Sequence, residues 1–198
     1  MARNKVWNTG VDDTGARVAL GHRDPHWMVV QGPGILNPQR AVVLQDQRAG
    51  TYFPPMDSMW VWANGTGDAD PSAPFIFEMD FYLELDLAQN WFEIKGAWCA
   101  DNFGHFAIDN APLPAGSGSG TSLPAGNVSA NYKQPHDFSI KQAHLLSTSH
   151  LVLKVGWHKL QVLISNEGPE SNDNPAGFNI SAIQFVAHAE PVIHPVLP

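Results

Sequence analysis

Acidic side chains alternate with apolar ones in one segment of the chain, and carboxylates with such spacing can perform acid–base chemistry. Residues 75–87 place Phe, Met or Leu at every odd position, and four even positions are acidic: Glu78, Asp80, Glu84 and Asp86. Glycosidases that carry their paired carboxylates on one strand use Glu-x-Asp-x-Glu or a bulged form of it. The order Glu78-x-Asp80-x-x-x-Glu84 matches neither spacing. We therefore interpret these carboxylates as a solvent-facing strand surface that discourages edge pairing, and a glycosidase is the third alternative.

Potential metal ligands lie near the N-terminus. Residues 22–26 read His-Arg-Asp-Pro-His, which offers three ligands on one side of an extended strand, while the proline excludes a helical zinc-binding face. Carboxylates in turns, combined with backbone carbonyls, suit Ca²⁺ better. The candidate calcium ligands are Asp12, Asp13 and Asp24, with Asp68 and Asp70 as an alternative. We expect no cofactor other than such a structural Ca²⁺.

Seven tryptophans are an unusual number for a chain of 198 residues. A Trp either fills a core or offers a flat surface on which a sugar ring packs beside a few planar polar groups. Trp60 and Trp62 share one face of a predicted strand, and Asn64 follows at once, so we name these three residues as candidate ligand contacts. Trp91, Trp98 and Trp157 are further candidates for an exposed aromatic face.

Other kinds of chemistry find little support in the sequence. The single cysteine, Cys99, lies among apolar neighbours in a predicted strand and fits a small buried hydrophobe. Gly-x-Ser-x-Gly, P-loop and dinucleotide-binding motifs are absent from the sequence. A net charge of −8 with only 11 basic residues disfavours nucleic acid and anionic membranes as partners. We therefore expect a protein that is not an enzyme.

The elements that must position these residues are short strands. Residues 75–87 and 92–100 both alternate with period two, which is typical of strands with one buried face. A phase change at Ile183 predicts a β-bulge in the last strand. We also expect strands at 151–155 and 159–165, and a helical turn within 139–147. Eight to ten strands with 17 Gly and 16 Pro between them indicate an all-β fold, an antiparallel β-sandwich of jelly-roll type.

We expect one domain over residues 1–188, with a flexible loop at 111–130 whose centre is Gly-Ser-Gly-Ser-Gly. Residues 189–198 repeat proline, so neither a helix nor a central strand is possible there, and an extended arm is expected. The arm is apolar for a free tail, which suggests that it packs on this subunit or on a neighbour. Its apolar residues are Val192, Ile193, Val196 and Leu197.

Several segments resemble motifs of galactose-binding-like jelly rolls. Residues 98–102 (Trp-Cys-Ala-Asp-Asn) and 108–110 (Ile-Asp-Asn) resemble two strand ends of that family, and 174–178 (Asn-Pro-Ala-Gly-Phe) resembles the entry to its final strand. Residues 153–168 resemble the strand pair between them, and 8–27 are similar to the first strand region of modules from bacterial surface and phage-associated proteins. The chain departs from the family where Ala111 stands in place of a glycine that often follows the asparagine, and in the insertion at 111–130.

This resemblance implies a jelly-roll sandwich whose loops bind the ligand. It places candidate ligand contacts on a rim formed by two turns and a histidine between them: Asp101, Asn102, His105, Asp109 and Asn110. Ligand identity does not carry over from a fold.

We expect a non-catalytic attachment or structural protein, a stand-alone subunit that decorates a larger assembly such as a phage virion. The alternative is a lectin-like carbohydrate-binding module. The expected partners are copies of this subunit or capsid and tail proteins, with a glycan as a further partner. The N-terminus has no apolar h-region, so the sequence predicts no signal peptide. We expect a virion or cytoplasmic location, with an extracellular one only by a non-classical route or lysis. The sequence contains no run of 18 apolar residues, so it predicts no transmembrane helix.

Overall fold

The computed structural model describes residues 5–47, 50–68, 74–84, 90–113, 131–166 and 175–189. Ten strands and one helix occur in these ranges, and every strand pair is antiparallel. The strands are β1 (Arg23–Gln31), β2 (Gln39–Val43), β3 (Val61–Trp62), β4 (Phe75–Leu83), β5 (Asn90–Asp101), β6 (Phe103–Ile108), β7 (Ala111–Pro112), β8 (His136–Lys141), β9 (Gly156–Ser165) and β10 (Gly177–Ala189). The helix α1 is Gln142–Ser149 and follows β8 directly. The described residues contain no helix with the length and apolar character that crossing a membrane requires.

The ten strands form one sheet in the order β7-β6-β9-β4-β1-β2-β3-β10-β5-β8. The sheet curls until its two halves face each other across a shared core. Phe106 of β6 contacts Trp98 of β5 at 4.5 Å and Phe138 of β8 at 4.6 Å between ring centroids, and Phe77 of β4 contacts Phe178 of β10 at 4.6 Å. The fold is therefore an antiparallel β-sandwich of the jelly-roll class, as the strand pattern predicts.

The period-two pattern of β4 is confirmed. Its five odd positions, Phe75, Phe77, Met79, Phe81 and Leu83, are all buried, while the even positions are half-buried or exposed. Burial of each such side chain contributes about 1.5–3 kcal/mol. The acidic positions of β4 consequently lie on the outer face of the sheet.

The predicted bulge in the last strand is also confirmed. The register of β10 on β5 shifts between Ser181 and Gln184, and Ala182 has a φ of 50°. The amides that the bulge frees from the ladder find side-chain acceptors. The Ala182 N–H donates to Asp57 (3.0 Å), and the Ile183 N–H donates to Asn8 (2.9 Å).

Three local expectations need correction. Residues 151–154 are not a strand, because the chain leaves α1 through His150 in a left-handed conformation and the Leu151 N–H still donates to the Leu145 carbonyl. The flexible loop does not begin at 111, since Ala111 pairs with Ile108 as part of β7. Residues 114–130 and the arm at 190–198, with Val192, Ile193, Val196 and Leu197, lie outside the described residues.

Candidate functional site

The aromatic face expected at Trp60 and Trp62 is not exposed. Both side chains are fully buried, and their indole N–H groups donate to the carbonyls of Phe53 (2.9 Å) and Asp68 (3.2 Å). Asn64 holds its own loop, because its amide oxygen accepts the Gly67 N–H at 2.8 Å. The proposal of a ligand surface on these residues is therefore corrected to core packing and loop closure.

The two turns of the expected rim do not meet. Asp101 and Asn102 are buried at the start of β6, where Tyr52 donates its hydroxyl to the Asp101 carboxylate (2.5 Å). Asp109 and Asn110 follow the other end of this six-residue strand, about 20 Å away at 3.3 Å per residue. A single rim containing all four residues is therefore wrong.

His105 lies between these turns on the half-buried face of β6, where it pairs in register with Leu163 of β9. Burial lowers the pKa of His105 below its ordinary value of 6.5, so its ring is neutral at physiological pH. His105 belongs to the outer face of the sheet, away from both turns.

The three candidate calcium ligands serve separate purposes. Asp24 is fully buried, and its two oxygens accept the N–H groups of Gly10 (2.6 Å), His26 (2.7 Å) and Trp27 (2.9 Å). Asp12 closes its own turn by accepting the Thr14 N–H at 2.8 Å, and the Asp13 side chain is 87% exposed. Among the described residues, no group of three or more His, Cys, Asp or Glu is arranged to hold a metal ion.

A groove on the outer face of the sheet brings together residues that are far apart in sequence. We call it the Trp157 groove; its volume is about 530 Å³, and its walls include Trp7, His26, Arg40, Asp80, Tyr82 and Trp157. Strand pairing explains part of this convergence, because Trp157 of β9 lies opposite Tyr82 of β4 and Lys159 lies opposite Asp80. Arg40 arrives from β2, whose partner β1 also pairs with β4.

Trp157 is the most exposed element of this wall. It is 58% exposed, and it is the only aromatic among the large apolar side chains that the structure shows exposed in the described ranges. Its ring packs edge to face on Tyr82, with centroids 5.4 Å apart. Trp7 is different, since His26 stacks on one face at 4.0 Å and the Lys5 ammonium lies 3.5 Å from its ring centroid. Only Trp157 of this pair therefore presents a broad aromatic surface.

Two charged groups in the groove act on described residues only through space, Asp80 on Lys159 and Arg40 on Asp24 and His26. The structure shows no hydrogen bond or ion pair from the Arg40 guanidinium or the Asp80 carboxylate to any described side chain. The guanidinium only donates hydrogen bonds and the carboxylate only accepts them, and each can bind a ligand through two parallel hydrogen bonds. Both groups can therefore bind a polar ligand in the groove.

His26 adds a buried polar atom to the same wall. Its side chain is only 10% exposed, and its Nε2 atom has no hydrogen-bond partner, although the Asp13 carboxylate lies 3.7 Å away. Burial lowers the pKa of His26 below 6.5, an effect that exceeds the opposing influence of Asp13. Because this atom is itself buried, His26 acts with Trp7 as a fixed part of the wall.

A second cavity of about 430 Å³ lies beyond Trp157 and shares that residue and Asp80 with the first; Asp109, His158 and Lys159 complete its lining. The His158 Nε2–H donates to the Lys154 carbonyl (2.7 Å), and Nδ1 lies 2.6 Å from the Asp109 carboxylate. Both ring nitrogens thus have a polar partner. His158 and Asp109 therefore form a fixed wall.

The acidic side chains on the outer face of β4 are not simply exposed to solvent. Glu78 accepts hydrogen bonds from the Lys159 ammonium (2.5 Å) and the Gln161 amide (2.7 Å), and the Gln161 amide also donates to Asn110 (2.9 Å). The hydrogen bond that Lys159 donates to Glu78 raises the pKa of Lys159. Asp80, one step along the strand face, is left outside this network. The sequence places Asp80 and Tyr82 on one face, but it carries no signal for the register that brings Trp157 beside them.

No protein-family model matches this chain, and no curated protein matches its sequence. Among solved structures, it is similar to the crystal structure of a β-glucosidase from Kluyveromyces marxianus in complex with glucose. The identity is 9% and the TM-score is 0.29, and the match covers 90% of this chain. The chain spans 17% of the length of that enzyme. A likeness at this TM-score says nothing about activity or ligand.

Proposed function

We propose that this chain is a non-catalytic carbohydrate-binding β-sandwich of the galactose-binding-like kind, and that it holds its ligand in the Trp157 groove. The observation that carries the proposal is one exposed indole, Trp157, beside the unpartnered Asp80 carboxylate and Arg40 guanidinium. Sugar rings pack their C–H faces on such indoles, while their hydroxyls need donors and acceptors at the edge.

The arrangement of two carboxylates supports the absence of catalysis in this proposal. Hydrolysis of a glycosidic bond uses a pair of carboxyl groups on either side of the bond. Glu78 is held by Lys159 and Gln161, and Asp109 is held by His158 and by the Lys159 N–H (2.9 Å). Neither of these two carboxylates is therefore free to act with Asp80 as acid or nucleophile.

A glycan array with the intact chain tests the proposal. Trp157→Ala should abolish binding to whichever glycans the wild type retains, because the variant removes the sugar-facing surface. Met56→Ala is the matched control, since Met56 is 91% exposed and lies outside the groove. Equal binding by wild type and Trp157→Ala would place the ligand elsewhere. No binding to any glycan would remove the carbohydrate proposal.

A subunit of a larger assembly is the second candidate. Val152 (43% exposed), Val155 (50%) and Trp157 (58%) expose three large apolar side chains within six residues, as protein contact surfaces do. Light scattering after size-exclusion chromatography tests this candidate across a range of concentrations. A Val152→Ser, Val155→Ser variant should dissociate any oligomer of the wild type, and a wild type that stays monomeric would count against self-assembly.

A further inference from the structure

We propose that the ligand of the Trp157 groove is a neutral oligosaccharide, with one pyranose unit on each side of Trp157. This inference rests on the proposed function, because it names the class of carbohydrate and the way in which the site divides. It assigns Arg40 to the first unit and Asp109 to the second.

The division into two subsites follows from the shared wall. Trp157 and Asp80 line both the cavity of about 530 Å³ and the cavity of about 430 Å³. Each volume lies within the range of roughly 300–1,000 Å³ that small-ligand sites occupy. Because the two spaces adjoin at Trp157 and Asp80, each of two linked units can lie in one of them and pack on the same indole.

The charges on the walls favour hydroxyl groups over ionised ligands. The first cavity has Lys5 and Arg40 on its lining together with Asp13 and Asp80, so opposite charges are equal in number. The whole chain carries a net charge of −8, which repels acidic polysaccharides at long range. Hydroxyl groups can satisfy both kinds of charged head, because each hydroxyl both donates and accepts.

The first cavity holds the more deeply bound unit. The His26 ring is nine-tenths buried on its wall and stacks on Trp7, which fixes that wall. The Arg40 guanidinium and the Asp80 carboxylate on the same lining give a ligand hydroxyl a donor and an acceptor. The second cavity is instead lined by groups that already bind each other, Asp109 with His158. The second unit therefore adds affinity mainly through Trp157, Asp80 and the outer edge of Asp109.

Calorimetry with sugars of increasing length tests the division. The probes are neutral gluco- and galacto-oligosaccharides of one, two and three units and the corresponding uronic acid oligomers. We expect the dimer to bind about tenfold more tightly than the monomer, the equivalent of about 1.4 kcal/mol, and the trimer to add little. Asp109→Asn should weaken the dimer more than the monomer, and Arg40→Gln should weaken both. Asp137→Asn, on the exposed edge strand β8, is the matched control and should change neither.

Each outcome separates the two proposals. Equal affinity for monomer and dimer would overturn the two-subsite inference and leave carbohydrate binding intact. Tighter binding of the uronic acid series would overturn the neutral ligand. If Asp109→Asn weakened binding of the monomer and the dimer equally, without a change in melting temperature, this result would also contradict the two subsites. A failure of every sugar to bind would overturn the proposed function together with the inference.

Discussion

Trp157 and Tyr82 lie directly opposite each other across the β4–β9 pair, and their ring planes meet at 76° with centroids 5.4 Å apart. Edge-to-face contact of this kind contributes about 0.5–1.5 kcal/mol beyond the burial of area. It also limits the rotation of an indole that is otherwise exposed. A surface that is already oriented loses less entropy when a ligand packs on it, which favours binding.

The first prediction contrasts Trp60 with Trp157 in stability. Trp60→Ala should lower the free energy of unfolding by about 3–5 kcal/mol, because a fully buried indole leaves a cavity. The variant also leaves the Phe53 carbonyl without the indole N–H. Trp157→Ala should cost about 1 kcal/mol or less, since its main contact is with Tyr82. Urea denaturation of both variants measures the difference, and similar losses would contradict the assignment of Trp60 to the core.

The structure explains why the sequence succeeds in one strand and fails in another. In β4, one face is in the core and the other lies outside, so the alternation of Phe77, Glu78 and Met79 reports burial directly. In and beside β3, residues 60–63 are all buried, and the indole N–H groups of Trp60 and Trp62 donate to carbonyls outside the strands. Period two carries no information about exposure in such a short, covered strand.

The groove depends on pairings that the sequence does not contain. His26 and Arg40 reach it from β1 and β2, and Trp157 reaches it from β9, more than 100 residues away. Their proximity follows from the strand order and from the curl of the sheet, which are properties of the whole fold. Sequence analysis could name Trp157 as a candidate, but it could not supply its neighbours.

The second prediction concerns Asp24, which holds the N-terminal segment on β1. Asp24→Asn should lower the free energy of unfolding by about 2–4 kcal/mol, because the new amide N–H₂ group faces a backbone N–H that has lost its acceptor. Three backbone amides depend on this carboxylate. Asp13→Asn is the control, with an expected change within about 0.5 kcal/mol for an exposed side chain. A loss as small as that of the control would contradict the role of Asp24 as acceptor for the three amides.

The third prediction is a loss of stability in mild acid. Burial is the largest influence on four histidines and lowers the pKa of each below 6.5; they are His26, His105, His136 and His144. Near and below pH 6.5, the unfolded chain therefore binds more protons than the folded protein does. The free energy of unfolding should have its full value above about pH 7.5 and should decrease as the pH is lowered through 6.5.

Chemical denaturation between about pH 7.5 and 5.5 measures this slope, because exposed carboxylates have ordinary pKa values near 4. Asp24 acts in the opposite sense, since burial raises the pKa of its carboxyl and the folded protein then binds the extra proton. Glu93 titrates outside the window: a hydrogen bond from Ser139 lowers its pKa below 4.5, so its contribution disappears only in stronger acid. His105→Gln should flatten the slope, because burial is the sole influence on that ring. If His105→Gln kept the same slope as the wild type, burial of His105 would not be a source of the acid sensitivity.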